Sequence, residues 1–528
     1  MTRVTLHGGS LTPEQVIAVA RGGARVELAD GARKKMAAGY QQLLQVEKQI
    51  GPVPLWKFAD LADDAVRAQV SDVAALARQV IVDHAAAVGK PLATELVRAM
   101  MLVRADVLAQ GHSGVRPELA QSLIDMLNAG VHPLVPSQGH LSMAGDTAAL
   151  AHVALVLLDG GGRADGDTGL AVLGRHEDGA RVLPGEQAMR EAGIARWRPT
   201  LKESFSLIIG NTLAAAWAAL LIADAEQLWR LAVGASALTC EAMLANTEAF
   251  DPALHELGPG REEVAHVARL ICGWIGASTM AGPQDKTDAF SLRCIPQVLG
   301  PIHTVLNRAK EVITNELRLV SDNPVIVDGP QGPRCLDGGN FHGERLVLAL
   351  DNLRLAVAEI GGLAERHAFI MTNQARSNGL PSFLVRERGL NSGFMLAQYT
   401  AAALVSENKT WAVPYAVDSI PTCQDYEDHA GFAALSAAAT ASVLTNVQRI
   451  LAVELLCAAQ GVDLRRENGK RPGRHTGVLV DTLRRVVPKW ETDRVMYHDL
   501  AAAERLSGAD GEATRLATEI AEKLDEQR

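Results

Sequence analysis

The chain has 528 residues, 48% of them hydrophobic and 21% charged, enough apolar material for a large core in two or three subdomains. Its net charge of −10, with no long basic block, argues against nucleic acid or an anionic membrane as a partner. Aromatic residues make up only 4%, alanine is abundant and β-branched alternation is sparse, a composition suited to long packed helices.

Cys240, Cys272, Cys294, Cys335, Cys423 and Cys457 stand far apart with no CxxC, so they read as buried or incidental thiols in a reducing compartment. No His or Cys pair has ligand spacing, and no metal is expected. The segment Met1 to Gly9 lacks the apolar stretch of a secretion signal, which sets the expectation of a cytoplasmic protein. Leu207 to Ala223 carries no charge for 17 residues. It is short for a bilayer span and contains Gly210, Asn211 and Thr212, so a helix buried in a helical bundle is expected.

In chain order, residues 1–30 predict short extended segments around one helix. That helix starts at Ser10, Thr12, Pro13 and Glu14 and stops at Gly22-Gly23. Ala24 to Leu28 alternates like a strand, and a helix from Asp30 to about Gln49 ends at Gly51. A loop with two prolines and two aromatics follows, Gly51 to Phe58; Trp56 and Lys57 in it either form a lid or simply pack. Helical periodicity resumes near Asp63, continues past His84, and returns over Thr94 to Gln110 and again up to Gly130.

The stretch from Val135 to His152 holds small residues before an apolar run. Asp146 is the expected N-cap of a helix beginning near Ala148, and the backbone N–H groups there carry partial positive charge. Residues 159–200 are Gly-rich and charged, with short strands near Val172 and Val182, and read as a surface excursion. From Lys202 to about Gln460 the pattern is nearly continuous helix broken at polar turns, and the last 60 residues form charged amphipathic helices. The expected organisation is an N-terminal region over 1–200, a central long-helix bundle over 201–465 and peripheral helices over 466–528.

Several polar groups stand out at the turns. Glu427-Asp428-His429 is either an acid–base pair or an acidic helix start. Arg293 in an apolar stretch wants a carboxylate, from a ligand or from the protein. The turn Asp337 to Glu344, with Asn340, Phe341 and His342, is either a close backbone approach or only a helix connection. His84 and His152 on apolar helices read by default as satisfied core histidines.

Together these segments resemble the aromatic amino acid lyase family, the histidine and phenylalanine ammonia-lyases and related aminomutases. The matching stretches are Asp83 to Gly89, Gly114-Val115-Arg116, Gly145-Asp146 with Leu150-Ala151-His152, Ser291 to Cys294 and Ser321 to Pro324. Gly338 to His342, Asn391 to Phe394, Ser406 to Lys409 and Glu427 to His429 continue the series in the family's order. The resemblance implies a mainly α fold, a long-helix bundle of the histidine ammonia-lyase type with a small mixed N-terminal region. It also implies a homotetramer whose active sites draw on several subunits, and a small-molecule substrate.

In a typical member an Ala-Ser-Gly triplet cyclises into an electrophilic methylidene-imidazolone group that captures the substrate amine. The aligned triplet here is Met143-Ala144-Gly145, and Ala144 has no hydroxyl to lose. Other departures surround it. The family's catalytic tyrosine loop is replaced by Gly51 to Phe58, a second tyrosine position holds Phe290, the family's Asn-Gly-Thr stands as Ile209-Gly210-Asn211-Thr212 with its asparagine lost or shifted, and Tyr426 replaces a glutamine.

These departures set the expectation of a carbon–nitrogen lyase without that cofactor, similar to the ergothionase branch, which eliminates trimethylamine from a betaine. A quaternary ammonium needs no activation as a leaving group. In that reading Glu427 and Lys57 supply acid–base chemistry and Arg293 anchors the carboxylate. His84, Asn211 and Asn340 contact the substrate, and Trp56, Phe290, Phe341 and Tyr426 line the cation site. The rivals are an ammonia-lyase whose serine was mutated for study at Ala144, a different cofactor-free lyase or isomerase, and a non-catalytic member that binds a ligand or partner.

Overall fold

The structure, a computed structural model, describes residues 3–54, 73–159, 169–283 and 286–526. It is mainly α-helical, as the alanine-rich composition requires, and its longest helices are Thr212–Ala242, Ile295–Leu317, Glu344–Thr372 and Ala433–Glu467. Two compact units divide the chain, each built from three separate segments.

The first unit comprises Met1–Leu220, Lys310–Leu350 and Pro414–Ala438. Its N-terminal strands, Arg3–Leu6 and Arg25–Leu28, pair in parallel, with Arg3 opposite Arg25. The helix between them, Pro13–Ala20, starts in a capping box: Thr12 Oγ1 accepts from Gln15 N, and Gln15 Oε1 accepts from Thr12 N at 3.1 Å. The Thr94–Ala109 helix is buried on every face, so its charges find internal partners. Arg98 donates to the carbonyls of Val19 and Leu127, and Asp106 accepts the N–H groups of Gly8 at 3.2 Å and Gly9 at 2.9 Å.

The stretch after residue 159, expected as a surface excursion, is more integral than that. Leu170–Leu173 pairs with both Val131–Pro133 and Val182–Pro184 in a three-stranded antiparallel sheet, burying Ala171, Val172 and Leu183. The uncharged run from Leu207 to Ala223 is not one helix. The Leu201–Ile208 helix ends inside it, Ile209 to Asn211 breaks the backbone, and Thr212–Ala242 begins anew. Among the described residues one helix, Ala433–Glu467, is long and apolar enough to cross a bilayer, and most of its apolar window is buried in protein.

The second unit comprises Leu221–Ala309, Asp351–Val413 and Ala439–Arg528. Its C-terminal helices, Arg474–Arg484, Met496–Leu506 and Glu512–Glu526, each bury one stripe, as their amphipathic sequences predict. Buried polar groups tie the long helices of this unit together. Arg354 donates to Asp351 and to the Val413 carbonyl, and Arg465 donates to the carbonyls of Ala242 and Ser377.

Candidate active site

In the first unit, the segments around Gly210 and Ala434 meet the small-residue loop Ser142 to Asp146. The first contact is glycine on glycine. Asp146 N donates to Gly210 O at 2.8 Å, and Gly210 N donates to Ala144 O at 3.3 Å. Both glycines have positive φ, 87° and 130°, conformations that other residues adopt only under strain.

Asp146 stands at the N-cap position the sequence pattern suggests, but its side chain makes no capping bond to its own helix. Its carboxylate accepts from Ser142 Oγ at 2.8 Å and from Ala214 N at 3.0 Å, so it joins the loop to the start of the Thr212–Ala242 helix. Burial raises the Asp146 carboxyl above its ordinary range, against those donors. The Ser142 hydroxyl also accepts from Ala434 N at 3.1 Å, which brings in the segment after Glu427.

Behind Gly210 lies a buried charge cluster. Lys202 Nζ is 3.0 Å from Asp322 Oδ2, Arg104 Nη2 is 3.7 Å from Asp322 Oδ1, and Ser206 Oγ donates to the same carboxylate at 2.8 Å. Burial alone would raise Asp322, but Lys202 and Arg104 outweigh it and hold the carboxyl below its usual range. Arg104 also donates to Ile209 O at 2.8 Å, so the cluster fixes the helix break that presents Gly210.

Asn211 faces Glu316, donating to Oε2 at 3.0 Å, while Arg345 holds Oε1 at 2.6 Å. A polar turn precedes the Glu344–Thr372 helix. Asn323 Nδ2 donates to Asp337, and Asn323 Oδ1 accepts from Gly338 N at 2.8 Å, pinning the turn that carries Asn340 and Phe341. Asn340 is exposed and Phe341 half-buried. His342 Nδ1 accepts from Glu344 N at 3.3 Å, so a neutral His342 carries its proton on Nε2 and donates it to His429 Nδ1 at 3.1 Å.

Glu427 sits in a tight turn ahead of the Ala433–Glu467 helix, not at a helix start. Cys423, Gln424 and Asp425 all have φ between 50° and 66°, and Thr422 N donates to Glu427 O at 2.9 Å. Thr422 Oγ1 donates to Glu427 Oε2 at 2.8 Å. Tyr426 is 74% exposed, so it lines no enclosed site within this unit. His84 ends the Val73–His84 helix half-exposed, its Nδ1 near Val80 O at 2.7 Å and Asp83 Oδ1 at 2.6 Å, so it is not a core histidine.

Arg293 and Phe290 belong to the second unit. The Arg293 guanidinium lies 4.7 Å from the Phe290 ring centroid, and Arg293 lines a cavity of about 680 Å³ with Asn246, Lys286, Asp288, Cys294 and Gln297. Trp56 and Lys57 lie outside the described residues. Among those described, no group of three His, Cys, Asp or Glu side chains is placed to hold a metal. Ser142, Arg104, Lys202 and Asp322 escaped sequence reasoning as site-building residues. For Arg104 and Lys202 the available signal is charge within apolar helical sequence.

Residues 11–485 match the family described as aromatic amino acid lyase. The histidine ammonia-lyase of Gloeobacter violaceus is 39% identical over 529 residues, covering 99% of each chain. The crystal structure of histidine ammonia-lyase from Trypanosoma cruzi is similar with a TM-score of 0.86 at 33% identity, covering 98% of this chain and 95% of that one. The structure of ergothionase from Treponema denticola has a TM-score of 0.85 but 22% identity, over 97% of this chain and 99% of that one, a likeness of fold alone.

These findings correct two expectations. Ergothionase-like chemistry gives way because the full-length relatives at 36% to 40% identity are histidine ammonia-lyases. The expectation of no cofactor falls with it, since that class is the one whose typical member builds the methylidene-imidazolone group. Ala144 and the departures at Gly51 to Phe58, Phe290, Gly210-Asn211 and Tyr426 do not outweigh likeness along the entire chain. The side chains at Met143-Ala144-Gly145 nonetheless do not fit that group as they stand, because the Ala144 Cβ carries no hydroxyl.

Proposed function

Because the chain belongs to the aromatic amino acid lyase family and is a carbon–nitrogen lyase, we propose that it is of the histidine ammonia-lyase type. Its substrate is then an α-amino acid bearing an imidazole-type ring. The observation that carries this reading is the 39% identity sustained over 99% of both chains with a histidine ammonia-lyase. The reaction breaks the Cα–N bond, removes a proton from Cβ and leaves a conjugated acid plus ammonia. Ala144 then stands as a serine-to-alanine replacement within a histidine ammonia-lyase framework.

The roles follow from the chemistry of each group. Arg293 pairs with the substrate carboxylate, for which its planar fork is suited. Glu427 takes the ring N–H: Thr422 occupies Oε2, and Oε1 accepts no hydrogen bond among the described residues. His84, Asn340 and Phe341 contact the substrate from their exposed or half-buried positions.

The finer points belong to the same proposal. Leu355 and Phe369, fourteen residues apart on one helix, and Leu396 and Tyr399 on another are exposed apolar side chains that suit a homotetramer contact. The six cysteines, none of them in a disulfide, suit the cytoplasm.

The test is incubation of the chain and of its Ala144→Ser variant with L-histidine. The expected result is ammonia with a new conjugated ultraviolet chromophore, formed faster by the variant. Failure of both proteins to release ammonia from L-histidine would overturn the reading.

A further inference from the structure

Arg293 rides on a single helical turn, Phe290–Arg293. Its own backbone bonds are few: Leu292 N and Arg293 N both reach Ala289 O, at 3.0 and 3.1 Å, and Cys294 N reaches Phe290 O at 2.9 Å. One turn is not stable by itself, because too few bonds offset the ordering of its residues. Leu292, 1% exposed, anchors the apolar side of the turn. The Ser291 carbonyl on the same turn points at a histidine.

That histidine is His367, on the Glu344–Thr372 helix and fully buried. Its Nε2 lies 2.7 Å from Ser291 O and its Nδ1 2.6 Å from Glu454 Oε1. A carbonyl and a carboxylate both only accept, so both ring nitrogens must carry protons. Glu454, 1% exposed, also accepts from Thr239 Oγ1 at 2.9 Å. Burial disfavours the imidazolium, but Glu454 outweighs it and His367 holds its proton above the ordinary histidine range. A neutral ring would leave the buried carboxylate with only Thr239 among the described residues, or the carbonyl without its donor.

We propose that His367 is a positioning residue: held by Glu454, it clamps the Ser291 carbonyl and so fixes the turn that presents Arg293 to the substrate carboxylate. The part concerning substrate rests on the histidine ammonia-lyase reading above. The clamp itself does not.

The test compares the full chain with His367→Gln and His367→Arg. Glutamine keeps much of the volume but cannot donate in both directions, whereas the arginine fork can. Two readouts are taken. Hydrogen exchange over residues 289–295 reports the turn without any ligand. Calorimetry reports binding of L-histidine against histamine, which lacks the carboxylate.

His367→Gln should speed exchange in the turn and weaken L-histidine by about tenfold, the scale of one charge-assisted hydrogen bond, with histamine unaffected. His367→Arg should restore both. Unchanged exchange in His367→Gln overturns the proposal, and so does an equal loss for the two ligands. If His367→Gln does not fold, histidine-selective ¹⁵N labelling of the unmodified chain decides: a buried histidine protonated on both nitrogens at neutral pH is expected, and its absence overturns the clamp. If the unmodified chain binds neither ligand, the histidine ammonia-lyase reading fails, while exchange and the nitrogen signals still decide the clamp.

Discussion

The backbone of Gly145 rests against that of Gly210 so closely that a Cβ on Gly145 would come within 2.4 Å of the Gly210 carbonyl carbon. A Cβ on Gly210 would in turn meet Ser321 Oγ at 2.7 Å and Arg104 Nη1 at 2.9 Å. The loop carrying Met143 and Ala144 is thus held by two main chains in contact, with no side chain able to give way between them. Gly145→Ala should therefore destabilise the protein by about 3 kcal/mol or more, combining strain at positive φ with a clash against backbone. Chemical denaturation measures this. A loss below about 1 kcal/mol would mean that the loop moves aside freely, and the rigidity argued for it would be wrong.

Charge arithmetic gives a second prediction. Lys202, Arg104 and Asp322 are two cations and one anion, all essentially inaccessible to water. Asp322→Asn leaves both cations without a counter-charge and should cost about 3–5 kcal/mol, the scale for breaking a buried pair. Lys202→Met leaves Arg104 facing Asp322 and should cost clearly less. The order of the two losses in parallel denaturation curves is the measurement. If Lys202→Met proves as damaging as Asp322→Asn, the lysine packs more than it compensates.

What the sequence made legible, and what it hid, follows from the range of each interaction. Helix limits were readable because caps and periodicity are local: Thr12 with Gln15, Gly22-Gly23 and Gly51 punctuate the chain where expected. Gly210-Asn211 reads in the sequence only as an oddity. Its cause is that Ser321 and Arg104 leave no room for a side chain at 210, while Glu316 engages the amide of Asn211 next door. Asp146 takes the N-cap position it reads as, but its side-chain partners, Ser142 and Ala214, lie off its own helix and leave no local signal. The Glu427 turn reads as a helix start in the sequence because three successive non-glycine residues at positive φ have no sequence signature. His367 gave no signal at all: its partners are 76 and 87 residues away, and a histidine on an apolar helix reads the same whether it is idle or clamping.

Acid stability supplies the last prediction. Asp106 is fully buried, and burial pushes its carboxyl up from 3.8 to about 6, against the hydrogen bonds it accepts from Gly9, Gly8 and Ser10. The folded state therefore binds the proton more tightly than the unfolded chain between those two values. Protonation of this group stabilises the fold fully below the unfolded value, and that stabilisation is lost as pH rises through about 6. On lowering the pH from 7 toward 5, the unmodified chain should gain stability relative to Asp106→Asn, which has no such proton to bind. The full difference accumulated below both values amounts to roughly 3 kcal/mol, from about two pKa units at about 1.4 kcal/mol each. Unfolding free energies of the two proteins measured across that range check it, with other titrating groups common to both cancelling in the difference. Curves that run parallel would place the Asp106 proton affinity near its unfolded value, and the N-terminal Gly8-Gly9 turn would then be held by a carboxylate that stays charged throughout.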